Sequence, residues 1–148
     1  MSNTYVPLIS SGTAGPLGVL HLPRLWLKAS LEAQGKLAQG YPGCGKGFDQ
    51  MVLDGLGLDR QKTLDFIKSN KPSYTQFENW VKQQPGVRLD KGNIEKLNGS
   101  IRAYNHDDGT RKGIVSAAGL QDDAAAARDA VNLNNLDDWT EFHGAVLK

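Results

Sequence analysis

The chain is short of most of the residues that announce a chemistry. Cysteine occurs once, at Cys44, so no intramolecular disulfide can form, and this usage fits a reducing compartment. The histidines His21, His106 and His143 are widely spaced, and none belongs to a short ligand-spaced pair of the kind zinc sites use. Neither sign of charge dominates: 17 basic and 16 acidic side chains leave a net +1, which argues against a dedicated nucleic-acid binder. No run of 18 or more apolar residues is present to cross a membrane. No charged side chain precedes Arg24, but Pro7, Ser10, Ser11, Gly12, Gly15, Pro16 and Gly18 break up the continuous apolar stretch that a secretion signal needs. The expected location is the cytoplasm.

Apolar residues are still sufficient for a core. Leu, Ile, Val and Phe account for 35 of 148 residues, above the level associated with disorder. A single domain of this length buries roughly 68–70% of its unfolded surface. Leu and Ala (31) outnumber Val and Ile (13), and no stretch sustains a two-residue alternation. The sequence therefore predicts an all-α domain of six to eight short helices over residues 20–148, preceded by an irregular N-terminal arm, residues 1–19. Tyr5, Val6, Leu8 and Ile9 of that arm are expected to lie over the domain.

Periodicity and capping residues place the helices. Pro23 suits a first helical turn, and Leu22, Trp26, Ala29, Ala33 and Leu37 recur at steps of three and four. Arg24, Lys28, Glu32 and Lys36 form a separate i,i+4 row, so they project together on another face of the helix. A short helix is expected over Phe48–Asp54 with Phe48, Met51 and Val52 inward. Asp59 caps the next, which carries Leu64 and Ile67. Ser73 and Gln76 have the spacing of a capping box ahead of Tyr74, Phe77, Trp80 and Val81, and Pro85-Gly86 ends that helix. Ile94, Leu97, Ile101 and Tyr104 give another helix, and Asp107-Asp108-Gly109 reads as a turn. Asp122-Asp123 before Ala124–Ala127 reads as a capped helix start, and Trp139, Phe142 and Val146 mark a last helix. Charge is uneven: residues 60–112 carry a net +5 and residues 113–148 a net −4, so the acidic tail can satisfy the basic middle internally.

Gly40-Tyr41-Pro42-Gly43-Cys44-Gly45-Lys46-Gly47 has the G-x-x-x-x-G-K spacing of a phosphate-binding loop. Two requirements of nucleotide hydrolysis fail. Gly47 stands where a hydroxyl should hold magnesium, and a helix rather than a buried strand precedes the loop. What survives is simple anion binding by glycine N–H groups that lead into the helix at Phe48. A second possibility makes Cys44 a nucleophile, its thiolate stabilised by Lys46, with His21 as base and Asp49 orienting that base. Around Asn105–Gly109 a calcium loop is ruled out, because Tyr104 and His106 fall at ligand positions and Val115 where the bidentate glutamate belongs. Arg24 lies near a helix N-terminus, where it does not complement the dipole, so an anion is expected close by: Asp49 or Asp54, or a bound carboxylate or phosphate.

His21-Leu22-Pro23-Arg24-Leu25 with Lys28-Ala29, and Gly47–Asp54 with Leu56-Gly57-Leu58-Asp59, resemble the bacterial family described as Domain of Unknown Function 5069. The resemblance is firmest over residues 20–82, includes Trp80, and is looser toward the C-terminus. It implies a compact helical bacterial protein, with no catalytic residue to carry over, and it directs attention to Arg24, Lys28, Asp49 and Asp54.

The function read from these features is a small binding or protein-interaction module that takes a small anion between the first helix and the Gly40–Asp54 segment. Arg24, Lys28 and Lys46 supply positive charge, and Asp49 orients them. The alternative is a small enzyme built on Cys44 and His21. A protein partner or a second copy of the chain could use apolar residues such as Trp139 and Phe142. Nothing in the sequence requires a metal or a cofactor.

Overall fold

A computed structural model of the chain describes residues 3–121 and 127–148. The described residues are all-α: α1 Leu22–Ala33, α2 Phe48–Leu56, α3 Arg60–Asn70, α4 Tyr74–Lys82, α5 Lys91–Ala103, α6 Asp108–Ala117 and α7 Ala130–Phe142, with a π-helical turn at His143–Leu147. Among them only isolated bridges have β geometry, such as Tyr5 with Leu37. The Asp122–Ala127 helix start expected from sequence falls largely outside the described residues.

Local capping sets most boundaries. Asp59 accepts from the Lys62 N–H, and Ser73 with Gln76 closes the reciprocal capping box ahead of α4. Asp90 and Asp129 cap α5 and α7 in the same way. Three expectations need correction. Asp107-Asp108-Gly109 is no turn: Asp107 accepts from the Thr110 N–H at 2.8 Å and starts α6. α1 stops at Ala33 because Gly35 turns left-handed at φ 69° and Lys36 N–H reaches back to Leu31 O, so Lys36 and Leu37 lie beyond the helix. Tyr104 likewise follows α5 rather than ending its stripe.

One hydrophobic cluster joins Val19 and Leu20 of the arm to Leu22 and Leu25 of α1, Val52, Leu53 and Leu56 of α2, Ile67, Phe77, Val81, Leu97, Ile101 and Ala130. α2 packs on α5, α1 on α3 and α6 on α7. The α2–α5 approach leaves no room for a side chain at Gly55, where a Cβ would lie 2.8 Å from a Leu97 methyl.

Polar side chains, more than apolar cover, hold the arm. Tyr5 and Leu8 remain 50% and 48% exposed while Val6 and Ile9 are partly buried, so this part of the arm lies on the domain with only partial apolar cover. Instead Glu78 of α4 accepts from Leu17 N–H, and Asn98 of α5 both accepts from Leu20 N–H and donates to Gly18 O. Arg24 donates to the carbonyls of Pro7 and Ile9. An irregular segment laid on helices must satisfy its backbone groups somewhere, and here three buried or half-buried side chains do so.

Candidate functional site

α1 carries His21 at its N-cap and Arg24 and Lys28 one and two turns on, along one side of the helix. That side is not solvated. His21, Arg24 and Lys28 are 2%, 5% and 6% exposed, because α2 and α7 cover them and each supplies one carboxylate.

Arg24 pairs with Asp138 of α7, at 2.6 and 3.0 Å through its two terminal nitrogens. The partner anticipated at Asp49 or Asp54 is thus 114 residues along the chain instead. Tyr41 donates its hydroxyl to the same carboxylate at 3.0 Å, and its ring lies 6.0 Å from the guanidinium carbon. With the arm carbonyls included, the Arg24 charge is paired and its Nη1 donors are fully engaged within the protein.

Asp49 is the second hub. It accepts from His21 Nε2 at 2.6 Å, from Lys28 Nζ at 2.6 Å and from the Gly45 N–H at 2.6 Å. Burial acts to raise its pKa, but the hydrogen bonds and charges of His21 and Lys28 outweigh it and hold the carboxyl at about 2. Burial lowers the pKa of His21, against the pull of Asp49. A neutral ring facing an ionised carboxylate must place its proton on Nε2, which leaves Nδ1 to accept from the Ser11 hydroxyl at 2.9 Å. His21 adopts a left-handed backbone, φ 70°, at this junction, a conformation that costs a non-glycine residue energy and that the surrounding bonds must hold.

Ser11–His21–Asp49 has the connectivity of an acyl-transfer relay. It lacks the access: Ser11 is 0% exposed and does not line the adjoining cavity. The chain of bonds is a polar core that fixes the arm, α1 and α2 together.

The glycine loop is closed over carboxylates of this protein. Gly43 N–H donates to Glu32 at 2.9 Å and Gly45 N–H to Asp49, so two of the amides expected to bind an external anion are engaged. A Cβ on Gly43 would stand 2.3 Å from the Glu32 carboxyl carbon, so a larger residue there would have to displace that carboxylate. From α3, Arg60 donates to the carbonyls of Cys44 and Gly45 and to Gln50.

Cys44 does not join His21, whose two ring nitrogens are taken by Ser11 and Asp49. Burial and then the Asp49 charge push the thiol pKa up, with Arg60 and Lys28 opposing. In the folded protein near pH 7.5 an uncharged thiol reagent is expected to react at least ~10-fold more slowly with Cys44 than in the unfolded chain. Rapid stoichiometric labelling of the native protein, followed by mass spectrometry, would revive the cysteine enzyme.

A cavity of about 420 Å³ opens beside these groups, lined by His21, Arg24, Lys28, Lys46 and Asp49 together with residues assigned no site role from sequence: Tyr41, Phe48, Tyr104, Asn134 and Asp137. His106, set aside with the calcium loop, also faces it, with Nε2 2.8 Å from Asn134 Oδ1. All four residues assigned to the site from sequence as anion ligands or their orienter thus line it with His21, and Arg24 and Lys28 do so as internally paired ions. Lys46 is exposed and makes no hydrogen bond or ion pair among the described residues. Those newly found arise from three segments distant in sequence, with no shared spacing to reveal them. Among the described residues no three His, Cys, Asp or Glu side chains cluster as metal ligands. None of the helices there is long and apolar enough to cross a membrane. Trp139, Val146 and Leu147 are 62%, 61% and 65% exposed near the C-terminus, where Leu8 of the arm also borders a smaller groove.

No family model matches the chain, and no curated protein is similar to it at a significant level.

Proposed function

We propose that the protein is a small-molecule binding module of the bacterial cytoplasm that takes an anionic metabolite in the α1–α7 cavity, with Lys46 as the cation that meets it. The resemblance to Domain of Unknown Function 5069 belongs to the same reading. The observation that carries it is the contrast among the three expected cations. Arg24 and Lys28 are neutralised by buried carboxylates, whereas Lys46 stands unpaired at a cavity large enough for a small ligand. Arg24, Lys28 and Asp49 then form the rigid floor, and the positive charge available to a ligand comes from the glycine loop.

Thermal unfolding of the wild type and of Lys46→Ala against inorganic phosphate, nucleotides and small carboxylates tests this. A ligand at 100 times its Kd stabilises the folded form by about 2.7 kcal/mol, which for this size raises Tm by roughly 5–11 °C. The shift is expected to fall sharply in Lys46→Ala without loss of the unliganded Tm, since Lys46 has no partner among the described residues. No shift with any anion would end the proposal.

A further inference from the structure

The cavity that offers Lys46 also offers an unpaired group of opposite sign. Asp137 lies on its α7 wall, half-buried, and makes no hydrogen bond or ion pair among the described residues. The nearest charges explain why. Glu141 and Asp138 flank it on its own helix, Arg24 is committed to Asp138 and the arm carbonyls, and His106 faces it from the segment between α5 and α6. The sequence placed no function on this residue.

We infer that the ligand is a small zwitterion, its anionic group held by Lys46 and its ammonium held by Asp137. This deepens the anion reading and rests on it. A partly desolvated carboxylate without a partner is unfavourable, and a ligand cation relieves it. Burial and the two neighbouring carboxylates push the Asp137 carboxyl up, in keeping with a site that lacks its counter-ion. Aromatic side chains that line the same cavity suit the remainder of such a molecule. Phe48 and Tyr104 meet edge to face at 5.5 Å, and Tyr104 is 45% exposed, so its ring is open to an apolar side chain or to the ammonium itself. A simple dianion would satisfy Lys46 but would be set against Asp137. A simple amine would reverse the conflict.

Calorimetric titration of the intact protein with free amino acids, each beside its N-acetyl and its carboxamide derivative, separates these cases. The free amino acid that binds is expected to do so at least ~10-fold more tightly than either derivative, each of which lacks one charge. Asp137→Asn should erase the preference over the N-acetyl form, and Lys46→Met the preference over the carboxamide. The derivative comparison on wild type stands even if a variant misfolds. If the N-acetyl form binds as well as its parent, the zwitterion is overturned and the anion reading survives. If neither amino acids nor derivatives bind, the zwitterion is overturned, and the phosphate and carboxylate series decides the anion reading separately.

Discussion

Replacing Arg24 by methionine is expected to cost about 3–5 kcal/mol. The methionine keeps most of the volume and apolar stem, so the loss isolates the guanidinium. Removing it strands the Asp138 carboxylate, which is 3% exposed and retains the Tyr41 hydroxyl as its one remaining side-chain donor. The same change removes the donor to the carbonyls of Pro7 and Ile9. For a protein of this size the corresponding fall in Tm is roughly 6–20 °C. The arm provides a second readout: chymotrypsin should cleave after Tyr5 and Leu8 faster in the variant, because the backbone there loses its tether. Adding Asp138→Leu should recover part of the stability, since the penalty lies mainly in the stranded charge rather than in the absent pair. A single variant within ~1 kcal/mol of wild type by urea denaturation would show that the arm and α7 do not depend on this contact.

That clasp also marks the limit of what the sequence makes legible. Features whose partners lie within one helical turn could be read directly: the Asp59 cap, the Ser73–Gln76 box, Pro23 in the first turn of α1 and the start of α2 at Phe48. Periodicity showed that Arg24 and Lys28 share a side of α1, but period alone does not say what covers that side. The covering residues, Asp138 and Asp49, come from helices that α1 meets only in the folded chain. The misplacement of Arg24 relative to the α1 dipole correctly signalled a nearby anion, and misdirected the choice because Asp49 and Asp54 were closer along the chain. The glycine loop misled for a related reason. Its spacing advertises free N–H groups, and only the fold reveals that Glu32 and Asp49 occupy two of them. Lys46 makes no hydrogen bond or ion pair among the described residues, and its role as an anion ligand stays a proposal.

Asp49→Asn is expected to be the second severe substitution, again about 3–5 kcal/mol, because it leaves the Lys28 ammonium buried and unneutralised. Asparagine keeps the shape and one acceptor, so packing is not the cause of the loss. Pairing it with Lys28→Met should restore much of the stability by removing the stranded charge. The same cluster sets the acid response of the wild type. The His21 pKa is lowered in the folded state, so below its ordinary 6.5 the unfolded chain binds the proton first and stability falls with pH. Asp49 titrates near 2 when folded against 3.8 when unfolded, so its contribution is full above about 4 and is lost as pH falls toward 2. That contribution is about 2 kcal/mol, from the conversion of a pKa difference to free energy. Asp137 acts in the opposite sense: its raised pKa makes the folded state hold a proton more tightly, so acidification relieves a small destabilisation and partly masks the early His21 loss. Urea titrations at intervals from pH 7 to pH 2 should therefore show a shallow decline below 6.5 and a steeper one below 4. The steeper phase should be absent in Asp49→Asn/Lys28→Met, where no carboxylate remains to protonate at that position. If the double variant keeps the full steep phase, the acid transition belongs to other carboxylates, and the His21–Asp49–Lys28 cluster is not what holds α1 to α2.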